Sequence, residues 1–192
     1  MDSISTDAMK MLSSGDNLSA ISKKVGGDQN AVKSAIGMGL PMIMGPMANT
    51  ASKPGGADML TGLMSKLGGS NPADNVSGHL SDPKASGGSD MLSGLMGGQL
   101  TTVQNAISNK TRLPPAAVGQ VLAMVTPVVM GMVSKKFTQQ KMDSKGLTAF
   151  LGNESKAAMQ SSPDAADLLK QVEGGRVEKA GFMAKLKGLF GG

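Results

Sequence analysis

No cysteine, tryptophan or tyrosine occurs in this chain of 192 residues, which holds a single histidine, two arginines and four phenylalanines. The missing cysteines exclude disulfides, thiolate nucleophiles and Cys-ligated metals. One imidazole, His79, cannot assemble a zinc site, and it stands beside Asp82 in a Gly/Ser-rich stretch, where an exposed bystander is expected. With aromatics at 2% and all four phenylalanines in the last third, packing must rest on Met, Leu, Val, Ile and Ala. The scarcity of arginine and the lack of stacking rings argue against a nucleic-acid reading surface. No stretch alternates polar and apolar residues with period two, so strands are not expected.

Glycine and methionine are abundant instead, 27 and 17 residues. Methionine fills irregular gaps without fixing geometry, and glycine shortens helices, so the expected core is methionine-rich and adaptable. The apolar fraction of 40% suffices to close a core at this length. The net charge of +5 is uneven. Residues 1–98 carry seven lysines against eight aspartates, whereas residues 99–156 carry seven basic side chains against two acidic ones. A solvated face is the plain reading of that excess.

The most informative pattern is an internal repeat. AISKKVGGDQNAV, from Ala20, returns 86 positions later as AISNKTRLPPAAV, from Ala106. The same offset lays AIGMGLPMIMGPM, from Ala35, on VLAMVTPVVMGMV, from Val121. It pairs Met38 with Met124, Pro41 with Pro127 and Gly45 with Gly131. With one more residue of offset, LTGLM at Leu60 pairs with LTAFL at Leu147. Repetition of a helical unit predicts an all-α fold of two tandem repeats, 1–67 and 99–152, related by a pseudo-two-fold axis and forming one compact domain. Residues 68–98, rich in Gly, Ser and Pro, read as a linker, and 153–192 as C-terminal helices with an amphipathic tail.

Within each repeat the cues are local. Asp16 and Asp28 suit helix N-caps, Gly26-Gly27 a stop, Thr101 or Thr102 a cap in the second repeat, and Pro114-Pro115 the start of its long helix. Ser162 with Pro163 marks a further helix start. Pro41 and Pro127 predict bends in the two most apolar segments. Gly37, Pro41 and Gly45, matched by Ala123, Pro127 and Gly131, lie four apart and form a small-residue ridge on each long helix. Those ridges predict that the two kinked helices cross each other, glycine against glycine.

A membrane hairpin competes for the same segments, because Ala116–Val133 and Ala35–Ala51 lack charge over 18 and 17 residues. Their central Pro and Gly, the lysines at both ends and a mean hydropathy of −0.06 favour burial in protein instead. The opening MDSISTDAMKML has no unbroken apolar run, which points to a cytoplasmic protein, with membrane association as the alternative. Phosphate-cradling glycine motifs are absent, and no convergent acid–base pair is legible, so neither enzyme activity, a cofactor, a metal nor a small-molecule substrate is expected.

The tail is different. On a helical wheel Phe182, Met183, Leu186, Leu189 and Phe190 share one face, flanked by Lys185 and Lys187. Such a face suits a terminal helix that covers the chain's own core, and equally docking on a protein partner or a second copy, or a helix lying in a membrane interface.

The paired PMIMG and PVVMG segments, each followed by a Gly-rich LTGLM or LTAFL helix, resemble the YidB-like bacterial proteins of domain-of-unknown-function family nine-three-seven, over roughly residues 10–152. The resemblance implies an all-helical fold and carries no reaction, ligand or catalytic residue. The functional expectation is therefore a non-enzymatic helical interaction or assembly module, with Phe182, Leu186, Leu189 and Phe190 as anchors. A peripheral membrane binder using Lys185 and Lys187 is the alternative. Non-specific nucleic-acid binding by the basic second repeat, through Lys135 and Lys136, is a lesser one.

Overall fold

The structure is a computed structural model that describes residues 3–65, 67, 71–82, 87–162, 165, 167 and 168. Helix follows helix along the chain: α1 Ile4–Leu12, α2 Gly15–Val25, α3 Gln29–Ala51, α4 Gly56–Ser65, α5 Val76–Ser81, α6 Gly88–Met96, α7 Leu100–Thr111, α8 Pro115–Gln139 and α9 Ser144–Ser161. No strand occurs among the described residues. The all-helical expectation therefore holds.

Side chains at the helix ends explain several boundaries. Ser3 caps α1 by accepting from Thr6 N at 3.2 Å, and Asp28 caps α3 by accepting from Asn30 N and Ala31 N. Gly26 ends α2 at φ 67°, a left-handed value that costs glycine little. Two caps differ from expectation. Ser14 stands at the N-cap of α2 and Asp16 lies inside its first turn, because the helix starts earlier, at Gly15. A 3-10 turn, Gly97–Gln99, leads straight into α7, so neither Thr101 nor Thr102 is its cap. Asp143 caps α9, accepting from Gly146 N at 2.7 Å. Ser162 closes α9, while its partner Pro163 lies outside the described residues.

The long helices α3 and α8 form the centre. Both are apolar all round, so they must bury every face rather than one stripe. Ile36, Ile43, Met44 and Met47 of α3 and Val118, Leu122, Val125 and Val129 of α8 are fully enclosed. Both helices run through their prolines, Pro41 and Pro46 in α3 and Pro127 in α8. Around them, α1, α6 and α7 each pack on both α3 and α8, α2 does the same, and α9 lies along α3. Only α8 among the described helices is long and apolar enough to cross a membrane, and 72% of its apolar window is covered by the rest of the chain.

Residues 68–98 do not behave as the linker their composition suggests. Their described part folds into α5 and α6, which pack against α8, and α5 also packs on α2. Asn75 caps α5 by accepting from Gly78 N at 2.9 Å, and Val76, Leu80, Leu92, Leu95 and Met96 all turn inward. Glycine and serine hide this in the sequence because the apolar residues are few, yet they fall at helical spacing.

Candidate functional site

Small residues on the long helices admit neighbours, but not each other's ridges. A methyl group placed on Gly37 would meet Met9 of α1, and one on Gly45 would come within 4.0 Å of Ser155 Oγ on α9. On α8, Ala123 and Pro127 receive Gly88 of α6, and Gly131 receives the Asn71 side chain. The expected crossing of Gly37, Pro41 and Gly45 on Ala123, Pro127 and Gly131 is thus corrected. The close approach of α3 to α8 runs through Gly39, where a methyl group would overlap Leu122 Cδ2. A helix apolar on all sides has several faces to bury, and spacing alone does not say which neighbour takes which face.

The seating of α6 on α8 leaves an open cleft of about 750 Å³ beside it, in the range of ligand-sized pockets. Its apolar wall comes from Leu92, Leu100, Ala116, Ala123 and Met124, and its rim from Lys24, Ser89, Asp90, Ser93, Gln104 and Gln120. The rim offers donors and acceptors. Met124 also engages the chain's one imidazole through its carbonyl: His79 Nε2 lies 2.9 Å from Met124 O, with the residue 7% exposed. His79 is therefore a core side chain, not the exposed bystander its Gly/Ser setting suggested. Burial pushes its pKa below the ordinary 6.5, against the opposing effect of the Met124 hydrogen bond.

A second polar contact ties α9 to the start of α1. Glu154 of α9 accepts from Ile4 N at 2.6 Å, covering one of the four open amides at the start of α1. Burial raises its pKa above the usual carboxylate value, helped by Asp7 and opposed by the Ile4 bond and Lys136. A raised folded-state pKa contributes stability that is present at low pH and lost as pH rises through the folded value. Glu154→Gln, which keeps an acceptor and removes the charge, is expected to hold wild-type stability at neutral pH. Glu154→Ala is expected to lose about 1–2 kcal/mol in urea unfolding.

Among the described residues no group of three or more His, Cys, Asp or Glu could hold a metal ion. Lys135 is exposed and pairs with Asp74, and such surface pairs contribute little to stability. The contact residues named from sequence in the tail, Phe182, Lys185, Leu186, Lys187, Leu189 and Phe190, lie outside the described residues. The cleft on α8 was not legible beforehand, since it depends on α6 being a packed helix.

One family model, described as a bacterial protein of unknown function (DUF937), matches residues 7–136. No curated protein and no solved structure matches the chain.

Proposed function

The chain belongs to the DUF937 family of bacterial proteins of unknown function, and from that premise we propose that it works without catalysis, as a helical interaction or assembly module. The observation that carries this reading is the contrast between body and tail. Among the described residues Met59 is the exposed large hydrophobic side chain, at 47%, so the helical body offers partners little apolar surface. The tail sequence holds Phe182, Leu186, Leu189 and Phe190 on one face of a predicted helix, which suits insertion into a groove on a partner or a second copy.

In this reading the body is two interlocked copies of one unit. Support comes from reciprocal packing: α2, which precedes α3 in the chain, also packs on α8, and α7, which precedes α8, also packs on α3. α1 and α6 stand in the same double relation. Such exchange makes the pair of repeats one folding unit, a stable platform for the contact element read from the tail sequence.

Lys185 and Lys187 beside the apolar strip favour a second reading, a helix lying on an anionic membrane surface. Removal of residues 176–192 separates the two. For an assembly module, sedimentation detects an oligomer that the truncation dissolves and that anionic vesicles leave unchanged. Flotation with anionic vesicles that weakens with salt and vanishes on truncation gives the membrane reading. A monomer at all concentrations with no vesicle binding overturns both. Retardation of duplex DNA, lost when Lys135 and Lys136 become Glu, would instead mark the nucleic-acid alternative.

A further inference from the structure

The two long helices differ where the cleft beside α6 lies. At the offset of 86 residues its floor on α8, Ala116, Gly119, Gln120 and Ala123, falls on Asn30, Lys33, Ser34 and Gly37 of α3. Asn30, Lys33 and Ser34 are exposed, as polar side chains on a face kept in water are. On α8 the same face carries no charge, although Ala116 and Gln120 are exposed. The wall changes with the floor. Leu18 of α2 is buried in the core, whereas its counterpart on α7, Gln104, is half-buried and lies over Gly119 at the edge of the cleft. An uncharged concave face at a register where the other helix is polar marks a surface for a partner to cover.

The sequence supplies a segment of matching chemistry. Residues 169–192 follow the last described residue, Leu168, and carry the strip of Phe182, Leu186, Leu189 and Phe190. Four such side chains are of the scale that a cleft of about 750 Å³ takes in. Charge agrees. Residues 176–192 hold four basic side chains against one acidic, whereas 68–98, which supply α6 and with it one wall, hold three aspartates against one lysine. Asp90 stands exposed on the rim, where Lys24 is engaged in donating to Ser81 O at 2.9 Å. The route of the chain favours a neighbour's tail over its own: α9 packs on α3, α1 and α4, whereas α2, α6, α7 and α8 border the cleft. We propose that this cleft is the groove into which the tail strip of a second copy inserts, with Asp90 drawing the flanking lysines, Lys185 and Lys187, to its rim. The inference rests on the assembly reading and gives it a partner and a site. Reciprocal exchange of tails closes a dimer with two equal contacts.

Cross-linking tests it, because the chain has no cysteine of its own. Gln120→Cys places a thiol at the cleft, Met183→Cys one on the strip, and Ser34→Cys one at the exposed counterpart of Gln120 on α3. Mild oxidation of mixed full-length Gln120→Cys and Met183→Cys chains is expected to give several-fold more mixed disulfide dimer than the Ser34→Cys and Met183→Cys mixture. Asp90→Lys is expected to weaken the sedimenting dimer several-fold, and Lys185→Glu with Lys187→Glu in that background to restore it. Equal yields from the two mixtures, or an Asp90→Lys dimer as tight as wild type, overturn the cleft as the site, while an oligomer that still needs residues 176–192 keeps the assembly reading. A chain with both Gln120→Cys and Met183→Cys that closes its disulfide internally and sediments as a monomer overturns the second copy and the assembly reading together.

Discussion

Gly88→Ala destabilises the protein by about 1–3 kcal/mol or more, whereas Gly94→Ala, on the same helix α6, stabilises it by about 0.5–1 kcal/mol. At Gly88 a methyl group lands on the backbone carbonyl of Ala123, deep inside van der Waals distance, and touches Pro127 Cγ at 3.0 Å. Backbone cannot turn aside as a side chain can, so α6 must lift from α8. The gain in helix propensity is too small to offset that displacement. At Gly94 a methyl group meets nothing within 4 Å, and only the propensity gain remains. Paired urea titrations measure both changes. Equal effects of the two substitutions would mean that α6 does not sit on α8.

Leu122→Ala is expected to cost about 2–5 kcal/mol, the range for emptying a leucine site in a closed core. Leu122 is fully enclosed, and its Cδ2 fills the space that Gly39 leaves open on α3. The cavity would lie between the two central helices, each held by neighbours on its other faces, so collapse is restricted and the cost falls toward the upper part of the range. Since a domain is stable by only about 5–15 kcal/mol, this one change removes a large share of the total. Thermal or urea unfolding detects it directly. A loss below about 1 kcal/mol, the size of a surface effect, would place Leu122 outside the core.

How far such contacts can be read from the chain depends on where the information resides. Caps and stops are local: Asp28, Gly26 and Pro114 act on backbone groups within a turn of themselves, and the sequence marks them correctly. The apolar character of α3 and α8 is also local, and with it the need to bury them. Which face meets which neighbour is not local. Gly131 was legible as a position of close approach, but the approaching group, Asn71, lies on another element that spacing cannot identify, and at Gly37 and Gly45 the neighbours, Met9 and Ser155, stand at ordinary contact distance. Composition misleads at residues 68–98 for a related reason. Glycine there serves particular purposes, as at Gly88, where another backbone passes, and at Gly87, where φ is 60°. The burial of His79 follows from that misreading, because a histidine beside Gly and Ser reads as exposed until α5 is seen to pack. The cleft beside α6 was hidden for the same cause.

His79 and Glu154 pull the pH dependence of stability in opposite directions. Both departures arise from burial, which disfavours the charged form of either group, so acidification from neutrality works against the fold at His79 and in its favour at Glu154.

The central claim is that α3 and α8 bury each other within one chain, and a double-mutant cycle at Gly39 and Leu122 tests it most directly. Gly39→Ala alone is expected to destabilise, because its methyl group collides with Leu122 Cδ2 and Leu122, fully enclosed, must change its packing to make room. In the Leu122→Ala background the same substitution is expected to stabilise, filling part of the cavity and adding helix propensity, with a coupling of about 1–3 kcal/mol. Additive effects, with Gly39→Ala acting identically in both backgrounds, would show that the two helices do not meet there and would contradict the architecture.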